Sequence, residues 1–231
     1  MAYIFDEFLK GYRFCEQKGF VYSFPRFNDF YEGKQWKDIT DSTRYLPRPV
    51  FNICKKYIDI KTSNILNDLE SSVNMGDLKS LWSKVRQSDL NEDFLLDAAV
   101  FGTGILHYYL SDGSICGEIL DPLSVVFSDP EIKDISKQEY VIIKSVKRDI
   151  KTYTKYFKRD GYIYFSVERE GKIIKENILV TGLTKFPLVL FNWERRKNSI
   201  YGIGEVEMCE PIQRQINWLF AMNILSAQDT A

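Results

Sequence analysis

The apolar residues of this chain change period twice, and those two changes restrict its fold more than any composition figure does. Before Gly102-Thr103-Gly104 they recur every three or four residues, as on one side of a helix. After it they alternate or run in short blocks between turn residues, and from Glu205 the helical interval returns. The order predicts an α+β fold with segregated layers: N-terminal helices, a central antiparallel β-rich region and a long C-terminal apolar helix. The expected parts of this one structural unit are residues 1–104, 105–200 and 201–231.

The first helix is expected over 5–18, with Phe5, Phe8, Leu9 and Tyr12 on one side and Gly19 as its stop. A short helical piece at 27–31 follows Pro25. Arg48-Pro49 is expected to open the next helix, with a stripe of Ile53, Cys54, Tyr57, Ile58, Ile65 and Leu69, and Met75-Gly76 to break it. Asp77 is a suitable cap for a helix carrying Leu78, Leu81, Trp82 and Val85, and a pause at 89–91 precedes 94–101.

Blocks 105–110 and 115–120 flank Asp112-Gly113, a hairpin signal. Residues 140–146 read as a strand, and Asp149 is expected to cap a short helix carrying Ile150, Tyr153 and Phe157. Strands follow at 162–167, 173–180 and 186–193. In the last helix Met208, Ile212, Ile216, Leu219 and Phe220 make one stripe. Trp218, Ala221, Met222, Ile224 and Leu225 cover much of the remainder, so burial on several sides is expected.

Composition bears on what such a chain binds. Its 31 Lys and Arg oppose 32 Asp and Glu, a net charge of -1, which supplies no global field for holding nucleic acid. The 16 Phe, 14 Tyr and 4 Trp must be buried in a core or against a neighbour. Cys15, Cys54, Cys116 and Cys209 stand far apart in sequence and read as reduced thiols. No run approaches the roughly 18 apolar residues of a membrane span. The expected protein is soluble and intracellular, without a membrane partner.

Catalytic signals are thin. The single histidine, His107, has no second histidine with which to build a metal site, and no nucleophile elbow accompanies it. The pairs Gly102/Gly104 and Gly202/Gly204 complete neither a P-loop nor a dinucleotide fingerprint, and read as chain reversals at helix ends. Asp121-Pro122 and Asp129-Pro130 read as turns. The segment 194–197, Glu-Arg-Arg-Lys, reads as a solvated loop, and Tyr108, Tyr109, Tyr162 and Tyr164 as packing residues. No catalytic residue, metal ligand or cofactor is expected.

Five phrases nevertheless stand in a specific order. They are Asn28-Asp29-Phe30-Tyr31-Glu32-Gly33-Lys34-Gln35-Trp36, Arg48-Pro49-Val50-Phe51-Asn52-Ile53, and Ala98-Ala99-Val100-Phe101-Gly102-Thr103-Gly104. The others are the stretch from Leu120-Asp121-Pro122 to Asp129-Pro130, and Tyr201-Gly202-Ile203-Gly204-Glu205-Val206 leading to Pro211-Ile212-Gln213-Arg214-Gln215-Ile216-Asn217. Together they resemble the portal proteins of tailed bacteriophages, the ring-forming head-to-tail connectors.

The resemblance covers the family's N-terminal wing and first stem helix. Family members are usually longer, so this chain is expected to be part of a longer protein or a shortened product. It implies a structural, non-enzymatic subunit of a ring, a dodecamer in full-length members, through which double-stranded DNA passes without being tightly bound. Its implied partners are further copies of itself, a terminase, and capsid and tail-adaptor proteins, in the virion and, during assembly, in the host cytoplasm. It implies Gly102, Gly104, Gly202 and Gly204 as hinges. Gln213, Asn217, Trp218, Phe220 and Leu225 become candidates for the stem helix and subunit interface. Two other readings stay open: an enzyme or ligand-binding domain with an aromatic-lined pocket between the helical start and the β middle, and a small RNA-binding module using surface tyrosines.

Overall fold

The computed structural model describes residues 3–36, 45–72 and 78–229. Helix α1 (Ile4–Gln17) ends before Gly19, as the spacing predicts. Helix α2 (Phe20–Tyr31) is longer than the expected piece at 27–31, and Pro25 lies inside it. An interior proline removes a donor and costs roughly 3 kcal/mol. Phe20, Phe24, Phe27 and Phe30 are all buried from this helix, and burial of one such ring contributes on the order of 2–3 kcal/mol.

Helix α3 (Ile53–Ser72) begins after, not at, Arg48-Pro49. Asn52 decides this: its Oδ1 accepts from the Lys55 amide at 3.1 Å, the bond of an N-cap. The Pro49 carbonyl is meanwhile held outside the helix by Trp36 Nε1 at 3.0 Å. The break expected at Met75-Gly76 and the cap expected at Asp77 lie outside the described residues.

Helix α4 (Lys79–Lys84) is separated from α5 (Gln87–Phe101) by Arg86, which is left-handed at φ 53. The pause expected at 89–91 is absent. Asp89 instead lies in the first turn of α5, where the helix dipole favours a carboxylate.

The β region opens with the hairpin β1 (Thr103–Ser111) and β2 (Ser114–Ile119), followed by β3 (Val125–Phe127) and β4 (Tyr140–Lys147). The largest departure from expectation comes next: residues assigned to a short helix form the strand β5 (Ile150–Arg159). Arg148 and Asp149 both take positive φ, at 48 and 65, and make a two-residue hairpin turn in place of a helix cap. The interval of Ile150, Tyr153 and Phe157 also occurs in a strand, and pairing on both sides, with β4 and with β6 (Tyr162–Arg169), decides the matter. Strands β7 (Lys172–Leu179) and β8 (Leu188–Asn192) precede α6 (Glu205–Asp229).

The strands form two antiparallel sheets, β2-β1-β8 and the meander β3-β4-β5-β6-β7. The result is a mixed α+β fold. Helix α1 lies on one face of the larger sheet, where Ile4 and Phe8 pack with Val126, Ile142 and Tyr153. The main core joins α2, α3, α5 and the start of α6 to both sheets, through Phe24, Ile58, Ala99, Ile105, Phe127 and Tyr201 among others. All four cysteines are free thiols. None of the described helices is long and apolar enough to cross a membrane.

Candidate functional site

The quoted phrases, dispersed in sequence, meet at two places that hold α6. The first is a crossing of backbones. Gly102 ends α5 in the left-handed region, at φ 93, and the chain reverses into β1. The segment from β8 to α6 passes directly against it. A Cβ placed on Gly202 would stand 2.2 Å from the Gly102 carbonyl oxygen and 2.6 Å from that of Glu194. One on Gly204 would stand 2.6 Å from the Val100 oxygen, and one on Gly104 2.3 Å from that of Phe94.

Thr103 fastens the crossing. Its Oγ1 accepts from the Gly202 amide at 2.7 Å and donates to Asn192 Oδ1 at 2.8 Å. Asn192 Nδ2 in turn donates to the Ile200 carbonyl at 3.0 Å. The Asp-Pro stretch joins on the other side. The Ile200 amide donates to the Pro130 carbonyl at 2.7 Å, and the fully buried Tyr201 hydroxyl to that of Val125 at 3.0 Å. Asp121 and Asp129 act as turn residues, accepting from the amides of Leu123 and Glu131.

The second place is a network of side-chain amides further along α6. Gln213 Oε1 accepts from the backbone amides of Ile53 and Cys54, at 3.1 and 3.2 Å, and so satisfies open donors in the first turn of α3. Its Nε2 donates to the Phe51 carbonyl and to Asn217 Oδ1. Asn217 Nδ2 donates to Gln35 Oε1 at 2.7 Å, and Gln35 Nε2 to Asn52 Oδ1 at 2.9 Å. Arg214, paired with Glu210, donates to the Gln35 carbonyl. Among the described residues, no buried side-chain nitrogen or oxygen lacks a hydrogen-bond partner.

Of the expected interface residues, Gln213 and Asn217 are thus buried within the chain. Trp218 and Phe220 are exposed but each rests on an aromatic of its own chain, Trp36 at 5.6 Å and Phe51 at 4.3 Å between ring centroids. Leu225 is half-buried. The burial expected on several sides of α6 is not met within the chain: Ile212 is 63% and Leu219 66% exposed, Met222 is exposed beside them, and Ile224 is exposed further along the face that carries Gln213 and Asn217. Residues 215–228 carry no charged side chain.

At the start of α6, buried Glu205 accepts from Trp193 Nε1 and pairs with Lys61. Arg196, expected in a solvated loop, is half-buried, paired with Glu207 at 2.6 Å and stacked over Phe20. Burial pushes the Cys54 thiol up to about 12, aided by neighbouring Cys209. Asp97 on α5 is pushed up to about 7 by burial, with the carboxylates of Asp121 and Asp93 adding to the shift.

His107 is packed in its strand, as its sequence context indicates, but not isolated. Its Nδ1 lies 2.9 Å from Glu118 and its Nε2 3.1 Å from the Tyr156 hydroxyl. Counting back from the Asp112-Gly113 turn would have placed Glu118 opposite His107. Gln35 and Asn52 were visible only as members of quoted phrases, because their partners are distant in sequence. An aromatic-lined cleft does exist, but between the two sheets and not between the helical start and the β region. Among the described residues, no group of three or more His, Cys, Asp or Glu could hold a metal ion. No protein-family model matches this chain, and no curated protein matches it.

Proposed function

We propose that this chain is a structural subunit of the portal ring of a tailed bacteriophage, contributing wing and first stem helix to a conduit for double-stranded DNA. The observation that carries the reading is the asymmetry of α6. One side is fixed by Gln213, Arg214 and Asn217, while the other offers Ile212, Leu219 and Met222 to solvent, the last two on an uncharged stretch. An isolated surface helix ordinarily carries charge on its outer side. A helix so constructed fits lateral packing against further copies, and a heterologous contact that closes makes a ring.

The meeting of the quoted phrases supports the same reading, since the family likeness then rests on residues that depend on one another. The net charge of -1 suits a conduit that guides DNA without gripping it. In this reading ATP hydrolysis belongs to a separate terminase. Native mass measurement and negative-stain imaging of the full-length protein test the proposal. Closed particles with a central channel are expected, and a strictly monomeric full-length protein would overturn it.

A further inference from the structure

A cleft of about 1000 Å3 lies between the two sheets. The strand registers put His107 and Tyr109 of β1 and Glu118 of β2 on one wall. Thr152, Thr154 and Tyr156 of β5, with Phe165 and Val167 of β6, make the other. The sheets touch where Tyr156 meets His107, and from there the cleft extends to the hairpin ends, where Leu110, Ile115, Lys147 and Arg148 line it. Two sheet faces that pack fully would interdigitate across roughly 10 Å. Here they leave a slot with flat walls.

The charge around the slot is one-sided. Its ionisable lining consists of Lys147, Arg148, Arg169 and Lys175 against Glu118, besides His107 and the tyrosines. Glu118 is already engaged by His107. Lys175 stands over the Phe165 ring, 5.6 Å from its centroid. The strand registers put Lys147, Arg148 and Arg169 at the hairpin-end mouth, with Lys175 further in, and an anion there would relieve the repulsion among these cations and be drawn in by it. Behind the mouth the wall is aromatic and aliphatic, the usual lining of a small-molecule site with a few polar groups to orient the ligand.

We propose that this cleft binds a small organic anion with a flat aromatic body, the ring lying between Tyr109 and Phe165 and the anionic group meeting Arg169, Lys147 and Arg148. The site goes beyond the ring reading and does not depend on it, because α6 takes no part in the cleft.

Fluorescence titration with anilinonaphthalene sulfonate, alongside its neutral relative phenylnaphthylamine, tests this. The double variant Lys147→Glu/Arg169→Glu, at two exposed positions, should weaken the sulfonate roughly tenfold and leave the neutral dye within about twofold. Thr154→Trp should block both dyes by filling the slot, with circular dichroism verifying its fold. Ile212→Asp/Leu219→Asp, which removes the exposed apolar side of α6, should leave the sulfonate signal in place. Unchanged sulfonate affinity in the rim variant, equal weakening of both dyes by it, or loss of the signal in the α6 variant would each overturn the proposal. The rim and α6 variants decide the matter even if Thr154→Trp fails to fold.

Discussion

The two places that hold α6 use opposite means. At the crossing, Gly102, Gly202 and Gly204 let backbones approach because there is no side chain to intervene. At the amide network, Gln35, Asn52, Gln213 and Asn217 bridge a gap with directional bonds, each amide both donating and accepting. A contact made by absence tolerates no addition. A contact made by bonds tolerates some loss, in proportion to the groups left unpaired.

The difference predicts a ranking. Gly202→Ala should have the largest effect, roughly 4 kcal/mol or failure to fold, since its Cβ would meet two carbonyl oxygens well inside contact distance. Gly113→Ala, with open space around it but φ 76, should cost only about 1 kcal/mol, both variants being measured by urea titration. Equal costs would show that the backbones at the crossing can move apart to admit a Cβ.

Gln213→Ala should come next, at about 2 kcal/mol, because it strands the Cys54 amide donor and leaves the Ile53 amide with the Phe51 carbonyl alone. Hydrogen exchange should show Ile53 and Cys54 losing protection while the start of β1 keeps it. A double-mutant cycle between Gln35 and Asn217 should give a coupling near 1 kcal/mol, and additivity there would mean that the amides act independently.

Asp97 sharpens the contrast, since it lies on α5 close to the crossing and meets other carboxylates where the amides meet partners. Its folded-state value of about 7 exceeds the ordinary carboxylate value, so ionisation opposes folding. The stability conferred by the neutral form is fully present below about pH 4 and lost as pH rises to 7. Asp97→Asn should therefore stabilise by about 2 kcal/mol at pH 8 and have no effect near pH 4, as followed by thermal unfolding at both.

The smallest effect on the monomer is expected for Leu219→Asp, within roughly 0.5 kcal/mol, because that side chain is already in water. The proposed ring predicts a larger effect on assembly, a shift from rings to monomers in sedimentation of the full-length protein. An unchanged ring would place the subunit contact elsewhere.

Legibility in the sequence followed the range of the deciding interaction. The hairpin turn at Asp112-Gly113 and the end of α1 at Gly19 are written in adjacent residues, and both were readable. The β5 strand is not legible locally, because Asp149 and the interval of Ile150, Tyr153 and Phe157 satisfy a helix as well, and the arbiters, β4 and β6, are other strands. Pro25 looked like a boundary because the phenylalanine stripe that outweighs it acts through the core. At the candidate site, the family resemblance singles out Gln213 and Asn217 as interface candidates. That they face inward depends on Gln35 and Asn52, which no local pattern links to them.

Gln213 and the donors that it satisfies are 160 and 159 positions apart. During synthesis at roughly 5–20 residues per second, the first turn of α3 therefore waits about 8–30 s for its acceptor to be made. Through that interval the Cys54 amide must be served by water, while Asn52 already caps Lys55 and the Phe51 carbonyl accepts from Ile53. The completion of α3 is thereby tied to the arrival of α6, and a ribosome stalled within the β region would leave a chain whose helical layer is open at its start.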